Sequence, residues 1–114
     1  MVLQAPAVYE DEWFERKFHW DDKTSQARKK YRYSDNPLNN RYIRAIEKYK
    51  GDLLVIGCEL DDTCPSNIIN GYYEHSESEN KKIEWIKGAD HSLRNPGTDK
   101  KYTEIMTDWF SKTL

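Results

Sequence analysis

Residues 52–58, DLLVIGC, form a short apolar run that does not alternate, the pattern of a strand covered on both faces as in a parallel sheet. The period changes on either side of it. Upstream, NNRYIRAIEKYKG (residues 39–51) repeats Tyr42, Ile43, Ile46 and Tyr49 at helical spacing. This predicts a helix with one apolar stripe, capped by Asn39 or Asn40 and ended by Gly51 in the left-handed C-terminal position. Downstream, PSNIINGYYEHSESENK opens on Pro65 and Ser66 and carries Ile68, Ile69, Tyr72 and Tyr73, so a second helix is expected to start at Ser66. KKIEWIKG sets Ile83 and Trp85 against Glu84 and Ile86, consistent with another strand. The last stretch, DKKYTEIMTDWFSKTL, puts Tyr102, Ile105, Met106, Trp109 and Phe110 on one helical face.

The chain opens with MVLQAPAVY, whose first residues have the composition of a buried strand and which Pro6 closes because proline cannot donate into a ladder. Domains usually bring a few loose residues before their first buried element, so further sequence upstream is expected. Residues 10–40 are charged and aromatic without a strand period and are expected to form a lid-like excursion. Within it, Trp13, Phe14, Lys17, Phe18 and His19 recur at helical spacing, as one face of a short amphipathic helix would. HSESEN is expected to be a solvated loop. The order is strand, lid, helix, strand, helix, strand, helix, and such alternation implies a parallel sheet with crossover helices. The expected class is therefore α/β, a partial three-layer α/β/α sandwich whose short, mostly parallel sheet has about three strands, with a helical lid segment.

At 114 residues the whole chain, 1–114, is expected to be one domain around one core. Hydrophobic residues make up 37% and charged residues 33%, but eight Tyr, four Trp and three Phe supply bulky material for a core or a binding surface. A net charge of −2 gives no global field to attract nucleic acid or an anionic membrane, and neither is expected as a partner. Cys58 and Cys64 are the only thiols; their spacing fits neither a redox CxxC nor a paired zinc motif, which points to a reducing, cytoplasmic setting without metal or cofactor. The first residues carry no basic region ahead of their apolar start, and no run approaches membrane-spanning length.

In an open parallel sheet, functional groups gather just beyond the carboxyl ends of the strands. Two segments here end in polar residues at that place, one with ELDDTCP and the other with KGADHSLRNPG. They would set an acid and a histidine above neighbouring strands. A carboxylate beside an imidazole fixes its tautomer and stabilises the cation formed when it takes a proton, as a nucleophilic hydrolase requires. LLVIGCELDDTCP followed by IEWIKGADHSL resembles the C-terminal part of an α/β-hydrolase, in which a strand ending in a pattern such as G-x-x-D-x-x-x-P bears the acid. Cys58 stands at the usual glycine position, Asp61 at the acid position and Pro65 at the proline. Gly88, Ala89, His91 and Leu93 match the loop of the catalytic histidine, and MVLQAPAVY resembles the strand that precedes the lid. The resemblance thus covers nearly the whole chain and implies Asp61 and His91 as catalytic residues.

The departure from that pattern is specific. No serine is flanked by glycines as in G-x-S-x-G, the elbow that would carry the nucleophile. The resemblance therefore implies a truncated or split serine esterase, thioesterase or peptidase, inactive alone. Its open sheet edge would pair with a second copy or with a separately encoded N-terminal half. The alternative is a non-catalytic dimerising or partner-binding module built on a hydrolase scaffold. Other residues have plainer readings. Asp62 is expected to cap the next helix, Cys58 and Cys64 to be small buried hydrophobes, and His19 and His75 to be structural or exposed. ARKKYRY, residues 27–33, interleaves basic and aromatic residues as single-stranded nucleic-acid binders do, but a solvated lid segment explains it as well.

Overall fold

The computed structural model describes residues 1–11 and 22–114, with side chains from Ser25 onward in the second stretch. The stripe expected from Trp13 to His19 lies outside the described residues. The elements are β1 (Val2–Gln4), α1 (Asp22–Arg32), α2 (Arg41–Lys48), β2 (Leu53–Cys58), α3 (Ser66–His75), β3 (Lys81–Ile86) and α4 (Thr98–Thr113). The strands form one parallel sheet in the order β1-β2-β3, with Val2 opposite Leu54 and Val55 opposite Ile83. This is the α/β class expected from the alternation of elements.

The central strand explains the layering. Every residue of β2 is buried, and successive side chains point to opposite faces. Leu53 and Val55 pack with Ile43 and Ile46 of α2 and with Ile68, Ile69 and Tyr72 of α3. Leu54, Ile56 and Cys58 pack with Ile86 and with Trp109 of α4. Tyr102, Ile105 and Met106 support that second face, whereas Phe110, expected on the same stripe, is exposed. The result is two helices, a sheet and one helix in three layers.

Several local expectations are met and several are corrected. Asn40 is the cap of α2, its Oδ1 accepting from the amides of Tyr42 and Ile43. Gly51 is not in the left-handed region; α2 ends at Tyr49 with φ −76°. An added Cβ would lie 2.3 Å from the Tyr49 hydroxyl, so a side chain at this position would require the Tyr49 ring to shift. HSESEN is not simply solvated: Ser76 and Ser78 are buried, and the Ser78 amide donates to Ser76 Oγ. A serine pair can fill a turn over the sheet while satisfying its own backbone. At the end of β1 the last ladder bond is Ala5 N–H to Ile56 O. Ala5 has φ 44°, a left-handed conformation costing a non-glycine residue roughly 1–2 kcal/mol, and it turns the chain into Pro6.

Candidate functional site

Asp61 and His91 come from the loops that follow β2 and β3, at the carboxyl ends of adjacent parallel strands. The two loops are stitched together by backbone bonds, Glu59 N–H to Ile86 O (3.1 Å) and Leu60 N–H to Ala89 O (2.8 Å). Gly88, with φ 74°, starts the histidine loop, and Asn95 Nδ2 donates to its carbonyl at 2.7 Å. This main-chain frame lets two residues thirty positions apart meet with little side-chain freedom left.

The His91 Nδ1 to Asp61 Oδ2 distance is 2.8 Å. The Asp61 side chain is 2% exposed and that of His91 36%. Asp61 Oδ1 accepts from the amides of Thr63 (2.8 Å) and Cys64 (2.9 Å), so both carboxylate oxygens are engaged and the group is fixed in orientation. A carboxylate only accepts; in the neutral imidazole Nδ1 therefore carries the proton and Nε2 the lone pair. Such an imidazole can take a proton at Nε2 while the cation it becomes is stabilised from behind. Asp62, expected to cap α3, does not: α3 has Pro65 at its N-cap without a side-chain bond, and Asp61 is the residue that satisfies the loop amides.

His91 opens onto a cleft of about 440 Å³ lined by Ala7 and Tyr9 after β1, by Ser25, Arg28, Lys29 and Arg32 of α1, and by Asp62 and Thr63. Part of this site has little sequence signature. Gln4 ends β1 with its Nε2 donating to His91 O at 3.3 Å, which ties the first strand to the histidine loop. Its position as the last residue of a strand is the available signal. Arg28 and Arg32 are separated by one helical turn, a spacing that sets them on one face of α1.

Asp61, Cys64 and His91 each bring a potential ligand atom to within 4.8 Å of the others. A metal would need the thiolate, and burial pushes the Cys64 thiol up to about 11. With both Asp61 oxygens already engaged, the trio is better suited to holding the imidazole than an ion. The same burial argues against Cys64 as nucleophile. Cys58 is likewise buried, and desolvation raises its thiol, opposed by the contact with Gln4. We expect neither thiol to react with a disulfide reagent at neutral pH except through unfolding; rapid modification of Cys64 in the native chain would contradict its assignment. The sign for stability follows. Cys64 ionises near 9.0 when exposed and near 11 when folded, so its contribution is intact below pH 9 and is lost as pH rises through that window.

No protein-family model matches the chain, and no curated protein matches it. Fold and geometry alone define the class: a parallel α/β scaffold bearing a buried carboxylate and a cleft-facing imidazole on adjacent strand ends. Among the described residues, no helix is long and apolar enough to cross a membrane.

Proposed function

We propose that this chain is the acid- and histidine-bearing portion of an α/β-hydrolase-type serine hydrolase, acting on an ester, thioester or amide. His91 is the general base, Asp61 orients it, and a serine outside these 114 residues supplies the nucleophile. The observation that carries the reading is the 2.8 Å bond from His91 Nδ1 to Asp61, which leaves Nε2 as the basic nitrogen beside the cleft. With no G-x-S-x-G elbow in the sequence, the chain alone is expected to show no appreciable hydrolytic activity. Both free, buried thiols suit a reducing, cytoplasmic setting.

The two sheet edges differ in a way that supports this reading. β3 carries Lys81, Lys82 and Glu84, with Lys82 Nζ 2.8 Å from Glu84, and charges of this kind discourage edge pairing. β1 is Val-Leu-Gln and, among the described residues, pairs only with β2. Beside it Leu3, Tyr42, Ile46 and Tyr72 line an apolar groove. The nucleophile-bearing strand, or a second copy of the chain, would pair there. Leu3→Lys is expected to convert self-associated chain to monomer in sedimentation measurements, whereas Lys82→Ala leaves association unchanged; equal effects would remove the assignment of the edge. The functional test is co-expression with a separately encoded N-terminal hydrolase half that carries a G-x-S-x-G elbow. Hydrolysis of a short activated ester, lost in His91→Ala, is expected. A folded complex that hydrolyses no ester, thioester or amide would favour the non-catalytic partner-binding module instead.

A further inference from the structure

The central strand β2 is buried along its whole length, yet one of its positions has no side chain to pack. Gly57 stands opposite Trp85 in the ladder with β3, and a Cβ added to it would lie 2.4 Å from Trp85 Cζ3 and 2.5 Å from Cε3. The benzo half of the indole therefore lies over Gly57 and fills the space a side chain there would take. Glycine inside a strand weakens it and often marks a close approach, and here the group that approaches is the indole. Trp85 is nonetheless 38% exposed. One part of the ring is packed on the strand beside it, and the remainder faces outward as a flat aromatic surface held in one orientation.

Trp85 shares its face of the sheet with Ile83, two residues earlier, and Ile83 packs with the core under α3. The indole accordingly sits beside α3, where it lines an open depression of about 490 Å³ with Ser66 and Asn70 of that helix, Glu59 after β2 and Lys87 after β3. Glu59 Oε2 accepts from the Gly88 amide at 3.3 Å, which holds the carboxylate at the rim. Among the described residues, the side chains of Ser66, Asn70, Trp85 and Lys87 have no hydrogen-bond partner. The rim thus offers an acceptor in Glu59, donors in Lys87 and the indole N–H, and groups that do both in Ser66 and Asn70. A ligand that fits needs one flat apolar face and, around its edge, groups that both donate and accept. A pyranose ring has that form: its axial C–H bonds pack on an aromatic face, and its hydroxyls stand at the edge. A phosphate or carboxylate would meet Lys87 but would also face the Glu59 carboxylate. A strand added from another chain is disfavoured by Lys82 and Glu84 on the same edge.

We propose that this depression is a carbohydrate-binding site in which a pyranose ring stacks on Trp85 and is hydrogen-bonded by Glu59, Asn70 and Lys87. Because the indole is already held by its packing over Gly57, little side-chain freedom is lost when the sugar binds. The site shares no lining residue with the cleft at His91, and it does not depend on the hydrolase reading.

The test titrates the isotope-labelled chain with the methyl glycosides of glucose, galactose, mannose and N-acetylglucosamine, following the Trp85 indole N–H and the backbone amides. Sorbitol serves as a polyol without a ring face, and adenine as a flat ring without hydroxyls. At least one glycoside is expected to shift the Trp85 indole saturably and to bind at least about tenfold more tightly than either control. The trisaccharide of the sugar that binds then separates two sources: tighter binding marks a glycan chain, equal binding a free monosaccharide. Trp85→Ala should weaken binding by about tenfold or more. Asn70→Ala, which leaves the packing over Gly57 untouched, should weaken it about fivefold with the amide spectrum otherwise unaltered. No saturable shift of Trp85 with any glycoside, adenine binding as tightly as the sugars, or glycoside binding unchanged in Asn70→Ala and in a folded Trp85→Ala would each overturn the proposal.

Discussion

If the proposed hydrolase reading holds, replacing Asp61 by asparagine is expected to lower kcat of the complemented chain by about 10⁴, the scale expected when the carboxylate of a Ser-His-Asp triad loses its charge. The reason lies in which atoms the change spares. The asparagine side chain keeps an Oδ1 for the Thr63 and Cys64 amides, so the loop stays folded. Its NH₂ group, however, meets His91 Nδ1 with a donor where Asp61 Oδ2 had accepted at 2.8 Å. The imidazole must then move its proton to Nε2, and the lone pair faces the wrong way. Asp61→Ala is a harsher change, since it also strips two amides of their acceptor at about 1–3 kcal/mol for each that stays buried. Two readouts separate the effects: nitrogen shifts of His91 report the tautomer, and urea unfolding reports the loop. A loss in activity with the tautomer unchanged would contradict the assigned role of Asp61.

The second large effect is on stability. Leu54 sits within β2, fully buried, and shares with Ile56 the face of the sheet that α4 covers. Leu54→Ala is expected to cost about 2–5 kcal/mol, because the strand is fixed by parallel ladders on both sides and cannot collapse into the cavity. A domain of this size holds only ~5–15 kcal/mol in total, so the variant should lose a large share of its stability and unfold at a clearly lower urea concentration. Leu60→Ala, at a residue 57% exposed, should change the unfolding free energy by no more than about 0.5 kcal/mol. Similar costs at both positions in urea unfolding would mean that β2 is not the centre of the core.

The contrast between what can and cannot be read from the chain follows a physical division. β2 is legible because a strand buried on both faces needs an unbroken apolar run, and DLLVIGC has no other use. The meeting of Asp61 with His91 follows from topology: parallel strands β2 and β3 set their following loops side by side. Which of Asp61 and Asp62 ties the loop amides is not legible, since either side chain suits a turn and the backbone path decides. The direction of Arg28 and Arg32 is equally closed to pattern reading. Charged residues normally face water, and what makes an inward position favourable for Arg32 is the pair of backbone carbonyls, Val8 O and Thr63 O, that accept from it. Gly51 reads as a residue chosen for conformational freedom, yet it lies outside the left-handed region and sits beside the Tyr49 ring, a contact with no sequence signature.

The central claim is that this chain supplies a base and its orienting carboxylate but not the nucleophile, and covalent labelling with a fluorophosphonate tests it most directly. The purified chain alone should take up no label, while the chain complemented by a hydrolase N-terminal half that carries a G-x-S-x-G elbow should be labelled on the serine of that half, with labelling lost in His91→Ala. Labelling of a residue within this chain, such as Ser25 at the cleft, that disappears in His91→Ala would contradict the account.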